Sequence, residues 1–269
     1  MSLAEKKLFL LDMDGTLYLG DNLFDGVLEF LAAVKARGGR YLFLTNNSSR
    51  GTEDYVKKLR RLGIEAENED FLTSVHATIF ALKKEFPNAV CYVAGTASFR
   101  RQLTDAGIEV RDTLSDDIDL LLSGYDTELT FQKLEDSCIL LNRGVTWLAT
   151  NPDWVCPTAY GYVPDCGSVC QMLARATGRE VRFIGKPQPD MVYLALEKTG
   201  FAPEEAALVG DRLYTDIACG VNAGIDTVFV LSGEGTVKDI EEMNIQPTWV
   251  MKDVAELYRK WRNPNETEL

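Results

Sequence analysis

Leu8-Phe9-Leu10-Leu11 runs without a break into Asp12-Met13-Asp14-Gly15-Thr16. Four apolar residues that stop at a carboxylate and a glycine fit a strand covered on both faces and ended by a turn. The same grammar returns in Tyr41-Leu42-Phe43-Leu44 into Thr45, Ala206-Ala207-Leu208-Val209 into Gly210-Asp211, and Thr227-Val228-Phe229-Val230-Leu231 into Ser232. Between these runs lie helically spaced apolar residues: Val27, Leu28, Phe30, Leu31 and Val34, then Tyr55, Val56, Leu59 and Leu62, the second set closed by Gly63. The alternation predicts an α/β fold with a doubly wound parallel sheet. Ligands of such sheets sit outside the carboxyl ends of the strands, where Asp12, Thr45 and Asp211 fall.

The middle of the chain repeats this pattern with different content. Strands are expected at 90–94, 120–122 and 147–149, and helices near 99–106, 131–142 and 167–177. Residues 83–180 are read as a second α/β domain inserted into the first, which leaves 1–82 and 181–269 as the two parts of the core. The chemically suggestive residues flank that block on both sides.

The 269 residues include 41 acidic and 28 basic side chains, a net charge of -13. With 46% hydrophobic and 26% charged residues, the composition is that of a globular protein able to bury a large core. No Lys/Arg block is available to neutralise nucleic-acid phosphates or anionic lipid, so neither is an expected partner. Any phosphate ligand must be met by a few local cations or a metal. No apolar run approaches the ~18 residues that cross a membrane. The start, Met1-Ser2-Leu3-Ala4-Glu5-Lys6-Lys7, does not read as a secretory signal, so a cytoplasmic protein is expected. The six cysteines contain no C-x-x-C and are expected as reduced, mostly buried thiols.

Asp12 and Asp14 both reach the crevice if the strand breaks its alternation there. Two such close carboxylates repel, so one pKa rises unless a cation holds both ionised. A second pair comes from Gly210-Asp211-Arg212-Leu213-Tyr214-Thr215-Asp216, also at a strand end. An oxygen-rich cluster without histidine suits Mg²⁺, a hard cation that uses few carboxylates. A single aspartate after a strand can equally be a turn residue or helix N-cap, and for Asp216 beside Thr215 that reading stands alongside the chemical one. For Asp12, Asp14 and Asp211 together it would need three coincidences at one sheet edge.

Thr45-Asn46-Asn47-Ser48-Ser49 reads either as a polar loop with an N-cap or as an anion cradle at a helix approach. Lys186 in Gly185-Lys186-Pro187 is either a solvated surface charge or the local cation that an acidic chain otherwise lacks. His76, the one histidine, has no nucleophile at motif spacing and reads as an ordinary residue of an amphipathic helix. Ser-His-Asp, Cys-His and zinc-histidine chemistry therefore lack support. No phosphate-binding G-x-x-x-x-G-K-[ST] or dinucleotide-binding G-x-G-x-x-G follows a strand.

Taken in order, Asp12-x-Asp14-Gly15-Thr16, Thr45 after a strand, Lys186 before a proline, and Gly210-Asp211 with Asp216 resemble the four motifs of the haloacid dehalogenase superfamily. Leu44-Thr45-Asn46-Asn47-Ser48, Thr150-Asn151-Pro152-Asp153, Gly185-Lys186-Pro187 and the long insert are similar to its subclass IIA, the NagD-like, para-nitrophenyl phosphatase branch. The resemblance spans essentially the whole chain and implies a Rossmann-like core with an inserted C2-type cap. It implies a Mg²⁺-dependent phosphomonoesterase for a small phosphorylated metabolite. Asp12 would be the nucleophile that forms an aspartyl phosphate, and Asp14 the acid and base. The Asp12 carboxylate, the Asp14 carbonyl and the Asp211 carboxylate would hold Mg²⁺. Thr45, Asn46, Asn47 and Lys186 would bind phosphoryl oxygens, with Asp216 orienting Lys186 or a metal-bound water.

An acid at position 14 points to a phosphatase rather than a family dehalogenase, whose halide leaves unprotonated. The superfamily's ATPase pumps would need a membrane domain. Within the cap, Pro164-Asp165-Cys166-Gly167-Ser168 departs from the smaller residues common in relatives, which leaves the substrate open. Trp154, Val155 and Cys156 are candidates for leaving-group contact, with simple packing the alternative for Trp154. Two other readings remain: a phosphotransferase that passes phosphate from Asp12 to another acceptor, and a non-catalytic phosphate-ligand sensor. A homodimer through the cap is a further family analogy.

Overall fold

Leu8–Leu11 is fully buried, as a strand with neighbours on both edges requires. In the computed structural model, which describes residues 2–158 and 161–263, this strand pairs in parallel with Arg40–Thr45 on one side and Ala206–Gly210 on the other. Leu8 lies opposite both Arg40 and Ala206. Asp226–Val230 and Trp249–Met251 continue the sheet in parallel beyond Ala206–Gly210, and Phe71–Thr73 lies at the opposite edge. Chain order therefore runs outward in two directions from the boundary between Leu8–Leu11 and Ala206–Gly210. That boundary is the switch point at which a doubly wound sheet opens a crevice. Asp12 follows one of these strands and Asp211 the other, and Asp12 N donates to Val209 O at 2.9 Å, which carries the pairing one residue further.

Helices Val27–Ala36 and Val254–Arg262 belong to the same unit as this sheet. The first buries Val27, Phe30, Leu31 and Val34, one stripe at helical spacing. The second starts at Asp253, whose carboxylate accepts from Glu256 N at 2.8 Å, and buries Val254, Leu257 and Trp261. Phe9, Phe30 and Trp261 meet edge to face with ring centroids 4.9, 5.5 and 5.8 Å apart. The indole Nε1 donates to Lys6 O at 3.1 Å, so this large side chain is buried with its polar atom satisfied.

Among the described residues the chain falls into two compact units, one within 1–45, 55–72 and 186–269, the other within 46–54 and 73–185. The second carries a five-stranded sheet in the order Arg182–Phe183, Thr146–Ala149, Leu120–Ser123, Val90–Ala94, Glu109–Arg111, with every pairing parallel. Successive strand residues point to opposite faces. Tyr92, Leu121 and Trp147 therefore pack with Leu140, Leu141, Cys166, Cys170 and Leu173, from helices Phe131–Arg143 and Cys166–Thr177. Cys91, Val93, Leu120, Leu122 and Leu148 pack with Val75, Leu82, Phe99 and Leu103, from helices Ser74–Glu85 and Ala97–Asp105. The expected helices and strands are thus present. Glu109–Arg111 and the hairpin of Val155–Thr158 with Gly161–Pro164 are additional, and too short to announce themselves by periodicity. Cys91, Cys166, Cys170 and Cys219 are buried thiols, as the sequence predicts.

Trp261→Ala should lower stability by about 3–5 kcal/mol, because it empties a fully buried tryptophan position and removes two ring contacts. Calorimetric unfolding checks this, and an unchanged transition would place the tryptophan outside the stabilising core.

Candidate active site

Lys186 Nζ lies 2.6 Å from Asp12 Oδ1 and 2.6 Å from Asp216 Oδ1. Lys186 and Asp216 are buried, and Asp12 nearly so. Burial alone would lower the lysine's pKa, but the Asp12 and Asp216 carboxylates outweigh it and raise the value, so the ammonium stays charged. Asp211, one residue past its strand, is buried beside them. Asp12, Asp211 and Asp216 can each offer an oxygen within 4.8 Å of the others.

One ammonium does not balance three carboxylates. Burial, and then the Asp216 charge, push Asp12 up to about 8 against the pull of Lys186. Burial and the same neighbour push Asp211 up to about 6. This surplus of buried negative charge, presented by oxygen atoms alone, fits a hard divalent cation. No softer donor is in the group.

Local sequence holds the carboxylates in place. Gly15, at φ +87°, and Gly233 both lie against Asp211, and a Cβ at either position would collide with its carboxylate. Thr16 Oγ1 donates to Asp211 Oδ1 at 3.3 Å, and Glu234 N donates to Asp211 Oδ2 at 2.8 Å. A single π-helical turn, Leu213–Ile217, carries Asp216, whose Oδ2 accepts from Arg212 N at 3.1 Å. The side chain that could have been a simple helix cap thus serves the turn with one oxygen and Lys186 with the other.

The remaining candidates are placed differently. Asp14 is exposed, with Lys58 Nζ 3.6 Å from its Oδ2, and lies outside the three-carboxylate group. Lys58 also sits over the Tyr18 ring at 4.0 Å. Thr45 ends its strand half-buried. Asn46 and Asn47 belong to the second unit. There Asn46 Nδ2 donates to the Asp153 carboxylate at 3.2 Å, and its carbonyl accepts from Ser74 Oγ at 2.6 Å and Asn151 Nδ2 at 2.9 Å. Asn47 Oδ1 accepts from Ser49 N at 2.8 Å, a local turn. His76 accepts from Thr73 N through Nδ1 at 3.1 Å and so works at its own helix start. Trp154 is 58% exposed.

Thr16 belongs to the first motif but had no role assigned to it from sequence, and Lys58 and Glu234 enter the site's surroundings without having been foreseen. The glycine pair in Ser232-Gly233-Glu234-Gly235 is a signal for close backbone approach at a strand end. Nothing local marks Lys58, which reaches Asp14 from the helix Thr52–Arg61.

The family model described as haloacid dehalogenase-like hydrolase matches residues 9–109, and a second, described as HAD-hydrolase-like, matches 183–257. An acid sugar phosphatase of Staphylococcus aureus is 34% identical over 254 residues, covering 94% of this chain and 97% of that one. The chain belongs to the haloacid dehalogenase-like hydrolases. Within that family, the solved structure of a 4-nitrophenylphosphatase from Thermotoga maritima has a TM-score of 0.89 at 39% identity, covering 96% of this chain and 98% of the other. A putative nagD protein has a TM-score of 0.87 at 38% identity, covering 97% and 99%. This hydrolase is accordingly of the NagD-like kind, with the α/β fold of that branch.

Gly233→Ala should displace the Asp211 carboxylate and weaken divalent-cation binding by at least about tenfold. Calorimetric titration with Mg²⁺ measures this alongside a circular dichroism spectrum of the folded variant. Unaltered binding would mean that the Asp211 position does not matter to the ion.

Proposed function

We propose that this haloacid dehalogenase-like hydrolase is a Mg²⁺-dependent phosphomonoesterase for small phosphorylated metabolites, with Asp12 as its nucleophile. The observation that carries this reading is the Lys186 ammonium in contact with both Asp12 and Asp216 at the switch point of the sheet. The relatives named for sugar phosphates and nitrophenyl phosphate support a small phosphate monoester as substrate.

The Asp12 and Asp211 carboxylates, with the Asp14 main-chain carbonyl, would hold the metal, which when bound reduces the repulsion between Asp12 and an anionic phosphate. An Asp12 carboxylate oxygen attacks phosphorus as the bond to the leaving oxygen breaks, and an aspartyl phosphate forms. Asp14 gives its proton to the leaving oxygen. In the second step Asp14 takes a proton from water as that water attacks phosphorus, which frees Asp12 and inorganic phosphate. Lys186, held by Asp216, meets negative charge on the phosphoryl oxygens, with Thr45, Asn46 and Asn47 as further donors. Residues 83–180, read as a C2-type cap within the second unit, govern substrate choice through Trp154, Val155 and Cys156. A cytoplasmic site of action and a dimer through that unit complete the reading.

Hydrolysis of para-nitrophenyl phosphate by wild type and Asp12→Asn, each with Mg²⁺ and with EDTA, tests it. Activity is expected only from wild type with the metal. Transfer of phosphate to an added alcohol would favour a phosphotransferase, and ligand-dependent stabilisation without turnover would favour a sensor.

Asp14→Asn should lower kcat by about 10²- to 10⁴-fold while leaving Mg²⁺ titration intact. Loss of metal affinity as complete as in Asp211→Asn would contradict the proton-transfer role.

A further inference from the structure

Asp211 and Asp216 are held by two short segments that the side chains of Arg212, Tyr214 and Glu234 link together. Glu234 Oε2 is 2.9 Å from Arg212 Nε, and Glu234 Oε1 accepts from Tyr214 Oη at 3.3 Å. The same two residues act on the carboxylates through their main chains. Glu234 N donates to Asp211 Oδ2 at 2.8 Å, and Arg212 N donates to Asp216 Oδ2 at 3.1 Å. Gly235 N adds a bond to Asp211 O at 3.0 Å.

The loop that supplies these donors needs an anchor. Gly233 and Gly235 flank Glu234, and both approach Asp211 or its neighbours too closely for a side chain. Glycine therefore permits the approach but leaves the loop with more conformations to lose. At one end, Ser232 Oγ donates to Gly15 O at 2.8 Å. At the other, the Glu234 side chain is the tether, joined to the very turn that carries Asp216.

We propose that Glu234, through its ion pair with Arg212, is a positioning residue that sets the Asp211 carboxylate for divalent-cation binding. This rests on the reading of Asp211 as a metal ligand. Glu234 touches the carboxylate only with its amide N–H, so its side chain acts by fixing where that N–H points. Arg212 is the matching half, since its own N–H fixes Asp216. The pair is half-buried on the Arg212 side and open to water on the Glu234 side, so measuring both Mg²⁺ affinity and unfolding temperature separates positioning from a merely structural contact. A positioning role changes Mg²⁺ affinity whether or not the unfolding temperature moves.

The test is calorimetric titration of Mg²⁺ into metal-free wild type, Glu234→Ala, Glu234→Gln, Arg212→Ala and the Arg212→Ala/Glu234→Ala double variant, with unfolding temperatures measured on each. Wild type should bind Mg²⁺. Glu234→Ala and Arg212→Ala should each weaken binding by about three- to tenfold, and the double variant by no more than the worse of the two. Glu234→Gln, which keeps one amide oxygen to accept from Arg212 or Tyr214 and the length of the tether, should restore part of the affinity. Wild-type affinity in Glu234→Ala, or losses that multiply in the double variant, would overturn the positioning role while leaving the metal site standing. A wild type that binds no Mg²⁺ would overturn the metal reading and the positioning role with it. A drop in unfolding temperature without a change in Mg²⁺ affinity would reduce the pair to a structural contact.

Discussion

The buried contact of Lys186 with Asp12 and Asp216 joins residues 174 and 30 positions apart in the chain. Removing one member of a buried ionic group leaves an uncompensated charge, which typically costs about 3–5 kcal/mol. The end of the first strand, the loop before helix Asp190–Thr199 and the π-turn after Ala206–Gly210 therefore meet at a single ammonium. Their geometry follows from the sheet order, because Leu8–Leu11 and Ala206–Gly210 are adjacent in space and distant in sequence. The winding reverses there, which is where a doubly wound sheet opens its crevice.

That contact is also incomplete. Asp211 adds a third carboxylate, and burial first, then the Asp216 charge, raise both Asp12 and Asp211 against the pull of Lys186 and, at Asp211, of Arg212. Stability and reactivity pull in opposite directions at such a place. An apolar replacement would pack more comfortably, and a buried carboxylate group of this kind is kept where it serves a site. The glycines at 15 and 233 let the backbone come close to Asp211, where Glu234 N donates to its carboxylate.

Much of this was legible in the residues. Runs such as Leu8–Leu11 and Ala206–Val209 are unbroken because both faces are covered, and their ends locate Asp12 and Asp211 with no tertiary information. Lys186 was ambiguous on its own, since a lone lysine before a proline has no local signature of burial. Its partners lie far away in sequence, and only the fold brings them to 2.6 Å. Asp216 was open between cap and ligand, and the π-turn explains why, as it uses one oxygen for each kind of bond. Lys58 and Glu234 were not legible, and Thr16 was visible in its motif without its partner. Thr16 and Glu234 act across gaps of 195 and 23 residues, and Lys58 through a helix face that reads as solvated charge. Asn46 and Asn47 were visible as a polar loop, but their bonds to Asp153 and Ser49 are properties of the second unit's own packing.

The claim on which the rest depends is that Asp12 carries the phosphoryl group between two displacements. The most direct test is rapid acid quench of the enzyme during turnover of a small phosphate monoester, followed by peptide mapping by mass spectrometry. A phosphoryl adduct on the peptide containing Asp12, absent when Asp12 is replaced by Asn, is the predicted result. Turnover with no adduct at any quench time, or an adduct on a different residue, would contradict the account.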